Sequence, residues 1–196
     1  MLKYSMMLFI LFVCPALLTG QTVLLVAKGG NSSNGTVGMG SAGGGGGGDA
    51  SWDSGPIFSL GVRVRHSDRV AFEGMLEYSS HKRIRKEWDA ALVNAPKLSR
   101  LDLTGSVRWS WGLFPRTYVA FLLGPVLTYQ KTDEVVVQCD SSQITTPGKG
   151  NIHLGFHFGL GFEARVADRW EFSVEGGLRM RFNLAATLQL GVAYAL

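Results

Sequence analysis

The strongest constraint on this chain is a period-two alternation of apolar and polar residues that starts near residue 57 and recurs along the sequence. In residues 58–65 (FSLGVRVR) every even-numbered position is apolar, and every odd-numbered position is polar or glycine. Because successive side chains of a strand point to opposite faces, this pattern predicts β-strands with one apolar and one polar face. Similar segments follow at about 70–79, 101–111, 119–129, 153–163, 170–180 and 187–196, and residues 22–28 supply a less regular strand at the start.

The connections between these eight segments alternate in length. Long connections are predicted at 29–56, 82–97 and 131–150, and the first of them, which includes six consecutive glycines (Gly43 to Gly48), is expected to be a flexible loop. Short connections are predicted at 67–69, 112–116, 167–169 and 182–186. Eight strands joined by alternately long and short connections favour a closed antiparallel up-and-down barrel.

The first twenty residues are predicted to be a secretory signal peptide. Lys3 precedes a short apolar run at 6–18, and the small residues Thr19 and Gly20 follow it. A lipoprotein signal at Cys14 is the alternative, but no small residue stands just before that cysteine. We therefore expect residues 21–196 to form the exported barrel domain, in which Cys139 is the one remaining cysteine and has no partner for an intramolecular disulfide.

Three patterns indicate that the polar face points into the barrel. In the first pattern, every lysine after residue 20, including Lys28, is expected in a loop or at a strand end. A strand face exposed to water would normally carry some lysine. Arginines and carboxylates are nearly balanced on the polar face, as in an enclosed network of ion pairs. This interior charge network is predicted to comprise Arg63, Arg65, Glu73, Glu77, Asp102, Arg108, Glu163, Arg165, Glu171, Glu175, Arg179 and Arg181.

The third pattern is the gathering of aromatic residues near strand ends, as in the aromatic girdles of membrane proteins. Trp109, Trp111, Trp170 and Tyr194 lie toward the short turns, and Tyr78 and Tyr129 lie toward the long loops. These patterns predict an all-β, antiparallel, up-and-down transmembrane β-barrel of about eight strands, with long extracellular loops and short periplasmic turns.

On these features the chain resembles the small outer-membrane β-barrel family of the OmpX and OmpA transmembrane-domain type, over residues 21–196. The resemblance implies a location in the cell outer membrane and contact with outer-membrane lipid and with the insertion machinery. It departs from the family in one respect, because the assembly signal of the last strand usually ends on an aromatic residue, whereas here Tyr194 is followed by Ala195 and Leu196. No peptidoglycan-binding domain is expected after the barrel.

Motifs for catalysis or cofactor binding are weak. The glycine pattern at 38–43 matches a dinucleotide fingerprint in letters, but the glycines after it cannot begin a stable helix. His153 and His157 share a strand face about 13 Å apart, too far to bind one metal, and are expected in the interior polar network. Loop residues His81, Asp89, Asp140 and Ser141 could serve a rim enzyme, but their composition is ordinary for loops. We expect no enzymatic activity, cofactor or metal.

The basic segment at 82–86 is the clearest binding candidate. Lys82, Arg83, Arg85 and Lys86 are predicted to lie outside the cell near the membrane, where they could pair with lipopolysaccharide phosphates. An ordinary solvated loop is the alternative. The net charge of +4 is too small to indicate nucleic acid.

An eight-stranded barrel is narrow enough for side chains to fill it, so we expect a plugged interior and a monomer. The predicted role is structural or surface interaction through the loops. A narrow pore, a lipid-modifying or proteolytic rim enzyme and a soluble lipocalin-like barrel are the alternatives.

Overall fold

The computed structural model describes residues 21–35, 52–82, 94, 96–139, 142–180 and 184–196. Within them no helix is long and apolar enough to cross a membrane. The ordered elements are the strands β1 (Thr22–Gly35), β2 (Trp52–Arg65), β3 (Val70–Lys82), β4 (Lys97–Phe114), β5 (Thr117–Thr132), β6 (Val135–Cys139), β7 (Ser142–Thr146), β8 (Gly150–Ala167), β9 (Trp170–Met180) and β10 (Leu184–Ala195).

Eight of these strands close into one antiparallel barrel in the order β1-β10-β9-β8-β5-β4-β3-β2. Closure is made by β1, which pairs along its length with β2 on one side and with β10 on the other. A closed barrel leaves no unpaired strand edge, which is the condition for crossing a membrane with strands. The predicted antiparallel barrel of eight strands is confirmed.

Burial alternates along the strands as the sequence pattern predicts. In β3 the side chains of Glu73 and Glu77 are buried, while Phe72 and Leu76 are exposed on the outer surface. In β8 the outward row runs from Ile152 to Phe162 and is exposed throughout. At about 3.3 Å per residue and a tilt of about 40°, that row spans about 25 Å across the membrane, the height of the apolar band of outer-membrane barrels.

The predicted loop at 29–56 is partly wrong. Strand β1 continues to Gly35, paired with β10 as far as Leu184, and β2 already begins at Trp52. Residues 29–35 lack apolar alternation, so their sequence carries no strand signal, but the hydrogen bonds of two neighbouring strands hold them extended. The glycine run at 43–48 and the predicted signal segment 1–20 lie outside the described residues.

The predicted loop at 131–150 is also partly wrong, because it contains a β-hairpin. Strands β6 and β7 pair with each other beyond the barrel, with Val135 opposite Thr146. Asn94 holds the base of the hairpin: its Nδ2 donates to the carbonyl of Glu134 at 2.7 Å, and its Oδ1 accepts from the amide of Val136 at 3.0 Å. The hairpin is therefore a separate two-stranded sheet in the connection between β5 and β8, at the end of the barrel that carries the long connections.

The opposite end of the barrel has three short turns, each with an exposed arginine. Arg69 follows β2, Arg116 lies between β4 and β5, and Arg169 lies between β8 and β9. Arg116 has a φ of 66°, a left-handed conformation that costs an L-residue about 1–2 kcal/mol. Pro115 immediately before it suits the preceding position of such a tight turn.

Candidate functional site

The interior of the barrel is occupied by charged side chains from six of its eight strands. The larger group, here called the lower cluster, lies toward the short turns. It consists of Lys28, Arg63, Arg65, Glu73, Arg108, Glu163, Arg165, Glu171 and Glu175.

Lys28 lies at the centre of the lower cluster and joins two carboxylates from opposite walls. Its Nζ donates to Glu73 Oε1 at 2.5 Å and to Glu175 Oε2 at 2.6 Å, and all three side chains are buried. Glu73 belongs to β3 and Glu175 to β9. One ammonium group from β1 therefore ties together strands that are not neighbours in the barrel.

Lys28 is also where the prediction for lysines fails, because it was expected at a strand end and lies within β1. Residues 22–28 (TVLLVAK) are apolar at nearly every position, so the sequence does not show which face points inward. The register does: Lys28 pairs with Ser59 and Gly191, both of which lie on the inner surface.

Two arginines complete the lower cluster by spanning several carboxylates each. Arg63 Nε donates to Glu73 Oε2 at 2.8 Å, and its Nη1 donates to Glu163 Oε1 at 2.9 Å. Arg108 Nη2 lies 2.5 Å from Glu163 Oε1 and 3.0 Å from Glu175 Oε1. The planar guanidinium group suits such bridging, because its N–H groups point in several fixed directions.

The cluster ends at the periplasmic mouth with Glu171. Both Arg65 and Arg165 pair with this carboxylate, and Arg165 Nε lies 3.1 Å from its Oε1. Arg165 also lies over the ring of Tyr118, 4.2 Å from its centroid, and donates a hydrogen bond of 3.0 Å to the Tyr118 hydroxyl. The mouth is therefore lined by paired groups.

A second group, here called the upper cluster, lies closer to the long connections and consists of Glu77, Asp102 and Arg179. Arg179 donates to Glu77 Oε2 at 2.6 Å and to Asp102 Oδ2 at 2.9 Å. Glu77 also accepts hydrogen bonds from the hydroxyls of Ser59 and Thr104. Together the two clusters hold six cations and six carboxylates, so their formal charges cancel.

Glycines on the inner surface provide the space for these large side chains. A Cβ atom at Gly161 would lie 2.9 Å from Glu175 Cγ, and one at Gly177 would lie 2.8 Å from His157 Nε2. Any larger residue would displace a member of the interior. The alternation of glycine with charged residues in β8 and β9 is thus part of how the interior is filled.

The structure places each predicted member of the interior network as follows. The eleven residues from Arg63 to Arg179 lie on the inner surface and within the two clusters, whereas Arg181 lies outside the described residues. His153 and His157 are half-buried on the same inner surface of β8. Among the described residues, no group of three or more His, Cys, Asp or Glu side chains is arranged to hold a metal ion.

Of the residues considered for a rim enzyme, His81 is the one that the described part of the chain includes. His81 is buried within β3, where its Nε2 lies 3.3 Å from Ser79 Oγ. Asp89, Asp140 and Ser141 lie outside the described residues.

The predicted aromatic residues lie on the outer surface at the two ends of the barrel. Tyr78 and Tyr129 are half exposed toward the long connections, on either side of Leu101 of β4. At the other end Trp111 is half exposed, and Trp170 packs against Tyr194 with ring centroids 4.8 Å apart. Trp109 is partly buried and stacks on Phe121 at 6.1 Å.

Exposed lysines lie just beyond the extracellular tyrosines and form what we call the lysine rim. Lys82 and Lys97 are paired across β3 and β4, and Lys131 of β5 lies next along the rim, opposite Ser99 of β4. Lys82 was predicted as a binding residue, but Lys97 and Lys131 were missed because their place beside Lys82 depends on strand register. Arg83, Arg85 and Lys86 lie outside the described residues.

The closed barrel, its apolar outer belt and its paired charged interior define a transmembrane β-barrel of the cell outer membrane. Residues 15–195 match the family model of the outer membrane protein beta-barrel domain, and the chain belongs to this family. Similarity to known proteins otherwise lies in the fold, since no curated protein matches the chain.

Solved structures of small outer-membrane barrels are similar over nearly the whole chain. Neisserial surface protein A matches with a TM-score of 0.55 and 12% identity, covering 89% of this chain and 96% of that one. OprG from Pseudomonas aeruginosa matches with a TM-score of 0.57 and 13% identity, covering 90% and 97%. Ail, the attachment invasion locus protein of Yersinia pestis, was solved in complex with the heparin analogue sucrose octasulfate. It matches with a TM-score of 0.54 and 11% identity, covering 90% and 99%.

Proposed function

We propose that this protein is a plugged outer-membrane barrel that acts through its extracellular end, where the lysine rim contacts the phosphates of lipopolysaccharide. The observation that carries the proposal is the position of Lys82, Lys97 and Lys131 on the outward faces of three adjacent strands, just beyond Tyr78 and Tyr129. Interfacial tyrosines mark the level at which the apolar belt ends. Cations immediately beyond that level face the anionic headgroups of the outer leaflet.

The basic segment that follows Lys82 extends the same charge. Arg83, Arg85 and Lys86 follow Lys82 in the sequence. Lys149 immediately precedes β8, the barrel strand next to β5 at the far end of the rim. The bound sulfated ligand reported for Ail is a polyanion, which supports a polyanionic partner for a barrel of this shape.

The charged interior supports a structural or surface-binding role over transport or catalysis. The six carboxylates of the two clusters are paired with cations, and these pairs bridge opposite walls of the lumen. A passage for ions would require several buried ion pairs to separate, each at a cost of several kcal/mol. We therefore propose no pore and no enzymatic activity.

The test compares two double variants of the same charge. Lys82→Gln/Lys131→Gln removes two rim cations, and the control Arg69→Gln/Arg116→Gln removes two exposed cations from the opposite end. Binding of purified lipopolysaccharide to the protein in detergent micelles is measured at low salt. At about 1 kcal/mol per cation, we expect the rim variant to bind about thirty-fold more weakly and the control to bind like the wild type.

A second arm identifies the chemistry of the ligand. Lipopolysaccharide with its lipid A phosphates removed is expected to bind the wild type as weakly as intact lipopolysaccharide binds the rim variant. Equal binding of both ligands, or equal losses in both double variants, would contradict the proposed contact.

A further inference from the structure

A shallow apolar groove lies on the lipid-facing surface in the half of the barrel near the short turns, centred on β1 and extending over its neighbouring strands. It encloses about 500 Å³ and is lined by Leu25, Ala27, Leu60, Val62, Leu76 and Val192. Its walls are almost entirely apolar, and it lies apart from both charge clusters and from the lysine rim. The groove therefore needs an explanation of its own.

The groove exists because β1 presents small residues outward between two strands that present large ones. Its small outward residue after Leu25 is Ala27, which pairs with Leu60 of β2 on one side and with Val192 of β10 on the other. The side chain of Leu60 is 68% exposed and forms one wall of the groove beside Ala27. The two flanking strands lie about 9–10 Å apart, a width that admits one extended hydrocarbon chain.

The periplasmic end of the groove carries an aromatic pair and a cation. Trp170 and Tyr194 line this end, and Arg169 Nη1 donates a hydrogen bond of 3.2 Å to the Tyr194 hydroxyl. Arg169 is held in place through its own backbone, because its carbonyl accepts from the amide of Ala195 at 2.8 Å. An exposed arginine beside interfacial aromatic rings lies at the depth of phospholipid phosphates.

We propose that the groove is a binding site for one phospholipid of the periplasmic leaflet, with an acyl chain along β1 and the phosphate against Arg169. The occupant follows from location and chemistry. The protein lies in the outer membrane, so the apolar belt is in contact with lipid, and the floor at Ala27 between Leu60 and Val192 is about one hydrocarbon chain wide. The cation at its end complements a phosphate.

Native mass spectrometry of the full-length mature protein, released from micelles containing palmitoyl-oleoyl phosphatidylglycerol, tests the site. Ala27→Leu fills the floor, and Val192→Phe fills it from β10. Ala186→Leu is the matched control, because Ala186 is exposed on the outer face of β10 but lies opposite Leu178 and Ser33, away from the groove. We expect a one-to-one adduct in the wild type and the control, and at least a five-fold loss in both filled variants.

The headgroup is tested with Arg169→Gln against Arg116→Gln, a second exposed turn arginine, whose nearest ion partner is Asp168 at 3.9 Å. The first variant is expected to retain about five-fold less phosphatidylglycerol, and the second to retain as much as the wild type. Neither variant is expected to change retention of dioleoylglycerol, which has no phosphate.

Two results would overturn the inference. Equal adducts in all variants would mean that lipid coats the barrel without a preferred site. A dimer that is lost in Ala27→Leu, in place of the lipid adduct, would assign the groove to a second copy of the chain.

Discussion

Lys28 shows how a single buried residue determines the arrangement of the barrel interior. A charge in an enclosed site is tolerated only when it is paired, and Lys28 has two carboxylate partners within 2.6 Å. Removing the ammonium group would leave Glu73 with two arginines and Glu175 with one arginine closer than 3.5 Å. The residue therefore contributes to the balance of the whole lower cluster.

We expect Lys28→Met to lower the free energy of unfolding by about 3–5 kcal/mol, the cost of breaking a buried ion pair from one side. The measurement is reversible urea unfolding in phospholipid vesicles, followed by tryptophan fluorescence. Lys82→Met, which removes an exposed lysine at the end of β3, serves as the control and should change stability by less than about 1 kcal/mol. A Lys28→Met protein as stable as the wild type would contradict the central role of Lys28.

Adjacent glycines in β9 provide a second comparison at the residue scale. Gly177 faces inward, where a Cβ would lie 2.8 Å from His157 Nε2 and 2.9 Å from Thr187 Oγ1, whereas a Cβ at Gly176 would meet nothing within 4 Å. Overpacking of a filled interior costs about 1–3 kcal/mol. We expect that loss for Gly177→Ala and no loss for Gly176→Ala in the same unfolding assay, and equal stabilities would show that the interior has spare room.

Strand β8 illustrates the relation between sequence pattern and environment at the scale of one element. Its outward residues from Ile152 to Phe162 are large and apolar, and its inward residues are glycine, histidine and glutamate. This pattern alone would also fit a soluble barrel in which the apolar residues face the interior and the charged residues face the solvent. Glu163 is only 5% exposed, whereas Phe162 is 61% exposed. The charged face therefore lines the interior, and the apolar face points outward.

Depth within the membrane should therefore control the cost of a charge on the outer face of β8. Phe156→Arg places a cation nearer the middle of the apolar belt and is expected to lower the free energy of unfolding by about 2–4 kcal/mol. Ile152→Arg places the same cation at the extracellular end of the belt and is expected to lower the free energy of unfolding by at most about 1 kcal/mol. Unfolding in vesicles measures both, and equal costs would contradict the proposed position of the belt.

At the scale of the whole molecule, closure of the barrel brings together residues that are far apart in the chain. Arg63 and Glu163 are separated by one hundred positions, and Lys28 and Glu175 by 147, yet each pair makes a direct ion pair. Such long-range pairs can form only when β1 meets β10 and the lumen becomes narrow. The ion-paired interior is thus a property of the closed fold.

The proposed plugging of the lumen by ion pairs predicts that the purified protein forms no steady ion channel in a planar lipid bilayer. Insertion must be verified in the same samples by a gel in which the unboiled protein migrates differently from the boiled one, as expected of a stable barrel. Sustained single-channel currents from inserted wild-type protein would contradict the interior described above.

The sequence by itself determined the strand pattern, the number of barrel strands and the identity of most inward and outward residues, because seven of the eight barrel strands alternate with a clear period of two. It could not determine the length of β1, the β6–β7 hairpin or the interior position of Lys28, since residues 22–35 and 131–150 lack clear alternation. It also could not show that Lys82, Lys97 and Lys131 share one rim, or that Ala27 forms the floor of a groove. Those features depend on which residues become neighbours across strands, and only the register of the closed barrel decides that.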